Sequence, residues 1–176
     1  MSYKEISGCL IELAKSGAFD VIAHGVNCQN TQGAGIALQM KKNFFTDRFH
    51  KEQTGKGDIN KLGQIESHIF MLHEAGAFSP VFNGWTKSEY IKDLYVVNAY
   101  TQFNYGKNHS DGDGKPIDYE ALTLCMRKIN HTFVGKKIGL PGLIGCGLAG
   151  GDSDKVKTII KRELKDCDVT IVYLKK

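Results

Sequence analysis

Hydrophobic positions along the chain follow two periods that alternate with each other. Val21-Ile22-Ala23 is a short apolar run that stops at a glycine-rich segment. Beyond it, Ile36, Met40 and Phe44 recur every fourth residue and so share one helical face. Gln64 to Met71 alternates in the manner of a strand, with Ile65, Ser67, Ile69 and Met71 on one side and Gln64, Glu66, His68 and Phe70 on the other. Leu94 to Tyr100 is rich in valine and tyrosine, as strands prefer. Ala121, Cys125, Ile129 and Phe133 form a second helical stripe, and Lys137 to Leu140 predicts a short strand. Ser153 is a good N-cap, with Asp154 in the first turn and Val156, Ile160 and Leu164 as a buried face. Val169 to Leu174 is a final strand rich in β-branched residues. Glu74 to Ser88 and Tyr105 to Pro116 read as loops, the second built around Ser110-Asp111-Gly112-Asp113-Gly114.

Strands alternating with helices imply a sheet covered on both faces, hence an α/β protein of three layers, α/β/α. The alternation resumes after each loop and no repeat is visible, so residues 1–176 form one domain. In such sheets ligands bind at the carboxyl ends of strands, in the loops that lead to helices. Both glycine-rich segments sit at that kind of position.

Composition narrows the classes. The balance of 23 basic against 19 acidic residues gives a net charge of +4. That excess suits an anionic ligand but falls short of the basic stripe of a dedicated nucleic-acid binder. Five cysteines (Cys9, Cys28, Cys125, Cys146 and Cys167) include no CxxC and no Cys/His spacing of a zinc site. They read as reduced thiols, and no metal or cofactor is expected. The first residues lack the pattern of a signal peptide, and no apolar run approaches the roughly 20 residues that span a bilayer. The expectation is a monomeric cytoplasmic protein without membrane contact.

The first glycine loop is Asn27-Cys28-Gln29-Asn30-Thr31-Gln32-Gly33-Ala34-Gly35-Ile36-Ala37. It follows a strand and opens a helix, where backbone N–H groups and the helix dipole favour an anion. A GxG there also serves tight geometry alone. The second loop is Pro141-Gly142-Leu143-Ile144-Gly145-Cys146-Gly147-Leu148-Ala149-Gly150-Gly151-Asp152. Its Gly145, Gly147 and Gly150 satisfy GxGxxG, but only 26 residues follow Gly150, too few for a dinucleotide fold with two halves. Two such loops together can clamp a diphosphate from both sides.

Val21-Ile22-Ala23-His24-Gly25-Val26-Asn27, with Gly33-Ala34-Gly35-Ile36-Ala37, resembles the macro-domain segment written VNAAN…GGGV. Leu140 to Asp152 resembles that family's second phosphate loop, and Val172-Tyr173-Leu174 its last strand. The resemblance spans Tyr3 to Leu174 and implies the macro-domain fold, with a mixed central sheet, and ADP-ribose as ligand. By similarity Asn27 bonds the distal ribose; Gly33, Ala34, Gly35 and Ile36 line that ribose and the diphosphate. Gly145, Cys146, Gly147, Leu148 and Ala149 offer N–H groups to the phosphates, and Tyr173 stacks on adenine. Where the family has Gly-Asp after its first strand, this chain has Gly8-Cys9; the thiol is a poor acceptor, leaving adenine to stacking and an amide near Leu10.

The resemblance also implies chemistry. The lysine that some relatives use to remove ADP-ribose from glutamate or DNA is replaced by Gln102, and the aspartate that some of them use two residues after the GCG triplet is replaced by Ala149. His24 and Asp152 match the branch resembling ADP-ribose-1''-phosphate phosphatases, where a histidine and a carboxylate activate water and protonate a leaving oxygen. The expected catalytic set is therefore His24, Asn27 and Asp152, acting on ADP-ribose-1''-phosphate. De-ADP-ribosylation of protein or nucleic acid, and non-catalytic reading of ADP-ribose, are the competing functions. His24 also reads as a core histidine, and Asp152 or Ser153 as the cap of the last helix. The remaining histidines show no ligand spacing, and Trp85 reads either as a cleft lid or as a loop residue packed on the core.

Overall fold

Apolar residues in the central strands point to both faces of the sheet, so both faces must be covered. In the computed structural model, which describes residues 1–49, 55–79, 83–84, 87–106, 115–142 and 144–175, that requirement is met by a mixed sheet between two helical layers. The strands are β1 (Tyr3–Ser7), β2 (Val21–Asn27), β3 (Ile65–His73), β4 (Gly76–Phe78), β5 (Tyr90–Gln102), β6 (Lys137–Pro141) and β7 (Asp168–Tyr173). The helices are α1 (Leu10–Lys15), α2 (Gly35–Phe44), α3 (Tyr119–Thr132) and α4 (Ser153–Glu163). Sheet order is β1-β7-β6-β2-β5-β3-β4. The run from β1 to β5 is parallel, and β3 and β4 add antiparallel strands at one edge.

Val21 and Ala23 face a core with Leu122, Met126 and Ile129 of α3 and Val156, Ile159 and Ile160 of α4. Ile22, between them, faces the opposite core with Leu10, Ile11 and Ala14 of α1 and Met40 and Phe44 of α2. All three expected helical stripes are therefore buried, apart from Ile36, which is half-buried at the start of α2. Phe44 meets Phe70 of β3 edge-on, with ring centroids 5.4 Å apart. The α4 cap is Asp152 rather than Ser153: its Oδ1 accepts from the N–H groups of Asp154 and Lys155, both at 2.9 Å.

Three departures from the sequence pattern have local causes. The expected loop Glu74–Ser88 opens with β4, a three-residue strand too short to show alternation. Helix α1 has six residues, too few to repeat a stripe. β5 runs 13 residues, beginning at the exposed Tyr90 and Ile91, where it pairs with β3 alone. Trp85 and the Ser110–Gly114 stretch lie outside the described residues. Among the described residues no helix is long and apolar enough to cross a membrane.

Connections decide where a crevice forms. β2 and β6 are neighbours, yet β2 leads to α2 on one face and β6 leads to α4 on the other. Adjacent parallel strands whose connections part to opposite faces leave a gap at their carboxyl ends.

His24 follows Ile22 on the α1/α2 side of β2 and is fully buried. Its Nε2 lies 2.8 Å from Asn98 Oδ1, while Asn98 Nδ2 donates to the Thr46 carbonyl, also at 2.8 Å. The second bond fixes Asn98 Oδ1 as acceptor, so His24 Nε2 carries the proton. Burial, partly offset by the bond to Asn98, depresses the His24 pKa to about 4.

Two consequences are measurable. Between pH 6.5 and 4 the unfolded chain binds a proton that folded His24 refuses, so stability falls as pH drops through this window, by up to about 3 kcal/mol. His24→Gln keeps a donor but cannot titrate, and urea midpoints measured across that window should fall less steeply than for the wild type; equal slopes would contradict the assignment. Phe44→Ala should cost ~3–5 kcal/mol in urea unfolding, the scale for emptying a filled aromatic site.

Candidate functional site

The crevice at the parting of β2 and β6 opens into a cleft of ≈ 1210 Å³. Its walls are the β2–α2 loop, the β6–α4 loop, the β1–α1 junction and the end of β7.

The β2–α2 loop holds its own shape. Asn27 Oδ1 accepts from the N–H groups of Gln29 and Thr31, each at 3.1 Å, and Asn27 Nδ2 donates to the Thr31 carbonyl at 2.8 Å. Both acceptor sites of the amide are thus occupied, and one Nδ2 proton remains to be donated. Asn30 adopts φ 56°, and its side chain accepts from Lys61 Nζ at 3.1 Å. Gly33, Ala34, Gly35 and Ile36 then line the cleft as α2 begins. The N-cap of α2 is Ala34, which offers no side-chain acceptor. Helices ordinarily cap here with Ser, Thr, Asp or Asn. The first-turn N–H groups of α2 are therefore uncapped where the helix starts at the cleft, and with the dipole they favour a bound anion.

The β6–α4 loop is folded on itself by backbone bonds: Gly151 N to Gly145 O at 2.8 Å and Gly150 N to Gly147 O at 3.1 Å. Gly145 has φ +69°, and a Cβ there would lie 2.3 Å from Ile117 Cδ1. Gly147 is different, with nothing within 4 Å of the corresponding position. Gly145, Gly147, Leu148 and Ala149 line the cleft, and among the described residues no acceptor takes the N–H groups of the last three. Cys146 does not line the cleft; its Sγ–H turns to the Ile144 carbonyl at 3.5 Å.

At the other end Cys9, Leu10 and Tyr173 line the cleft. The Tyr173 ring packs on Gly142, where a Cβ would fall 2.3 Å from a ring carbon, and Lys157 Nζ lies 5.6 Å from the ring centroid. Lys157 is itself held by Glu5 Oε2 at 3.1 Å.

Two residues expected to be catalytic stand elsewhere. His24 is buried on the α1/α2 side of the sheet and does not line the cleft, because strand alternation turns it into the core. Asp152 also lies outside the lining residues, and its carboxyl is held below the usual carboxylate range by the N–H groups of Lys155 and Asp154. An ionised cap is not a proton donor. Asn27 alone of that set reaches the cleft. The buried thiols are no substitute: burial pushes Cys28 up to about 11 and Cys125 up to about 12, away from the reactive thiolate. Among the described residues no cluster of three or more His, Cys, Asp or Glu can hold a metal.

The cleft also includes residues the sequence did not single out for it. Gln39 and Asn43 line it one turn apart on α2, beside the buried stripe, and Asn43 Oδ1 accepts from Lys15 Nζ of α1 at 2.7 Å. Glu12 sits on the unsignalled helix α1, and Tyr105 and Gly106 follow β5. The signal for the α2 pair was a four-residue step from Gly35 to Gln39 and again to Asn43. For Tyr105 it was an exposed aromatic beside a glycine.

No protein-family model matches the chain. It is 31% identical over 179 residues to an uncharacterized 17.5 kDa protein of the tk-vs intergenic region of Enterobacteria phage T4, covering 98% of this chain and 96% of that one. It is 29% identical over 111 residues to an ADP-ribose 1''-phosphate phosphatase of Meyerozyma guilliermondii, covering 62% of this chain and 61% of that protein. Its fold matches a Trypanosoma brucei macrodomain solved in complex with ADP-ribose, with TM-score 0.57, 14% identity, and coverage of 98% of this chain and 63% of the other. The chain therefore has the macrodomain fold and belongs to one family with the phage protein.

Proposed function

We propose that this cleft binds ADP-ribose or its 1''-phosphate. The observation that carries the reading is the pair of facing donor sets: the uncapped N-terminus of α2 and the spare N–H groups of the β6–α4 loop. A diphosphate between them is met from both sides by oriented dipoles. The cleft of ≈ 1210 Å³ suits a ligand with a base and two sugars beside the diphosphate. The base takes the end with Leu10 and Tyr173, and the distal ribose takes the remaining Nδ2 proton of Asn27. The trypanosomal complex and the yeast relative, both described with ADP-ribose or its 1''-phosphate, support the ligand class.

A second step, release of the 1''-phosphate, is supported by the likeness to the yeast phosphatase. Here the cleft supplies Asn27 and backbone dipoles that stabilise charge gathering on the phosphoryl oxygens. His24 and Asp152 lie outside it, one within the core and one as a helix cap.

ADP-ribose should bind with a Kd on the order of micromolar and AMP far more weakly in calorimetry. Gly147→Glu adds a side chain in open space but sets a carboxylate against the donors. It should raise Kd about 100-fold or more while leaving the unfolding midpoint unchanged. Normal ADP-ribose binding by that variant would remove the phosphate role of the loop.

Phosphate release from ADP-ribose-1''-phosphate tests the reaction. His24→Gln should keep turnover within about 3-fold, whereas Asn27→Ala should weaken both binding and turnover by about 10-fold or more. A wild type that binds ADP-ribose but releases no phosphate would refute the phosphatase step. Parallel assays on ADP-ribosylated protein and DNA would then separate a different hydrolase from a reader.

A further inference from the structure

The core histidine is one end of a longer chain of buried polar groups. From Asn98 the chain passes through Thr46: the Thr46 carbonyl accepts from Asn98 Nδ2, and the Thr46 hydroxyl donates to Gln32 Oε1 at 2.5 Å. His24, Asn98, Thr46 and Gln32 are all buried, at 0%, 1%, 0% and 6% exposure. The chain starts on β2 and β5, crosses the 3-10 turn at Thr46–Arg48 just after α2, and ends one residue before Gly33, where the loop enters the cleft.

A run of desolvated polar side chains is costly unless every link is made. Here the three junctions are made between groups of opposite role, while His24 Nδ1 at the far end has no partner among the described residues; an apolar core would have filled the same space without that cost. Such a chain also fixes direction: each bond constrains the next group, running from His24, beside the cleft-lining Gly25 on β2, to Gln32, beside the cleft-lining Gly33 in the β2–α2 loop. Thr46 contributes through both its main chain and its hydroxyl, so the start of α2 is tied to the segment that follows its end.

We infer that Gln32 and Thr46 are positioning residues, which hold the β2–α2 loop and the uncapped start of α2 at the spacing a diphosphate and distal ribose require. The ligand part of this inference rests on the proposed binding of ADP-ribose; the positioning part does not. Thr46→Val keeps shape and removes the hydroxyl, stranding the Gln32 amide; Thr46→Ser keeps the hydroxyl. Gln32→Met interrupts the same bond from the other end, should the valine variant not fold.

Amide hydrogen exchange reads the loop without any ligand. The N–H groups of Gln29, Thr31 and Leu38, all bonded within this wall, should exchange about 10-fold faster in Thr46→Val or Gln32→Met, and at the wild-type rate in Thr46→Ser. Amides of α3, in the opposite layer, should be unchanged. Calorimetry on the same proteins should show ADP-ribose weakened about 10-fold in the first two and within about twofold in the serine variant. Unchanged loop amides, or equal acceleration in α3, would overturn the inference, since the bond would then serve general stability alone. Accelerated loop amides with unaltered ADP-ribose affinity would overturn its ligand part. A wild type that ignores ADP-ribose would overturn the proposed function, while the exchange result would still decide the positioning role.

Discussion

The organising constraint in this protein is the parting of β2 and β6. These neighbouring parallel strands must send their chains to opposite faces, because each face of the sheet needs a helical layer to cover its apolar side chains. The gap at their carboxyl ends is then unavoidable. Both helices that follow, α2 and α4, begin at that end of the sheet, with their partial positive charge there. The cleft and its preference for anions thus share one origin in the chain path.

The two walls differ in how the helix beginning at each is capped. α4 begins with Asp152, whose carboxylate satisfies two N–H groups. α2 begins with Ala34, which satisfies none. An N-cap is ordinarily worth about 1 kcal/mol, and its omission on the helix that starts at the cleft leaves donors available there. Similar economy appears in the β6–α4 loop. Gly145 has no room for a side chain, whereas Gly147 has open space before it and so bears on the cleft rather than on packing.

Several buried polar groups support the β2–α2 wall. Asn27 folds the loop around its own amide, Lys61 supports Asn30, and Thr46 meets Gln32. A loop rich in glycine and small polar residues has little apolar surface with which to hold itself. Directed hydrogen bonds from buried partners replace packing there, and His24 belongs to that framework rather than to the cleft.

By itself the sequence determined the alternation of strands and helices, the three stripes that became the two cores, and the two small-residue loops that became cleft walls. These are local properties: periodicity, cap chemistry and glycine content act within a few residues of where they are read. Tertiary structure decided the rest. Whether a residue beside a loop faces ligand or core depends on strand alternation and on neighbours distant in sequence, as with His24 and its partner Asn98, 74 positions away. Asp152 carried the signature of both an acid and a cap, and only the start of α4 selected between them. Gln39, Asn43 and Tyr105 join the cleft through the packing of α2 beside β2 and the path of the chain beyond β5, so their local spacing marked them only once that packing was in place. Side-chain chemistry is written in the sequence, but its direction is set by contacts that exist only once the chain has folded.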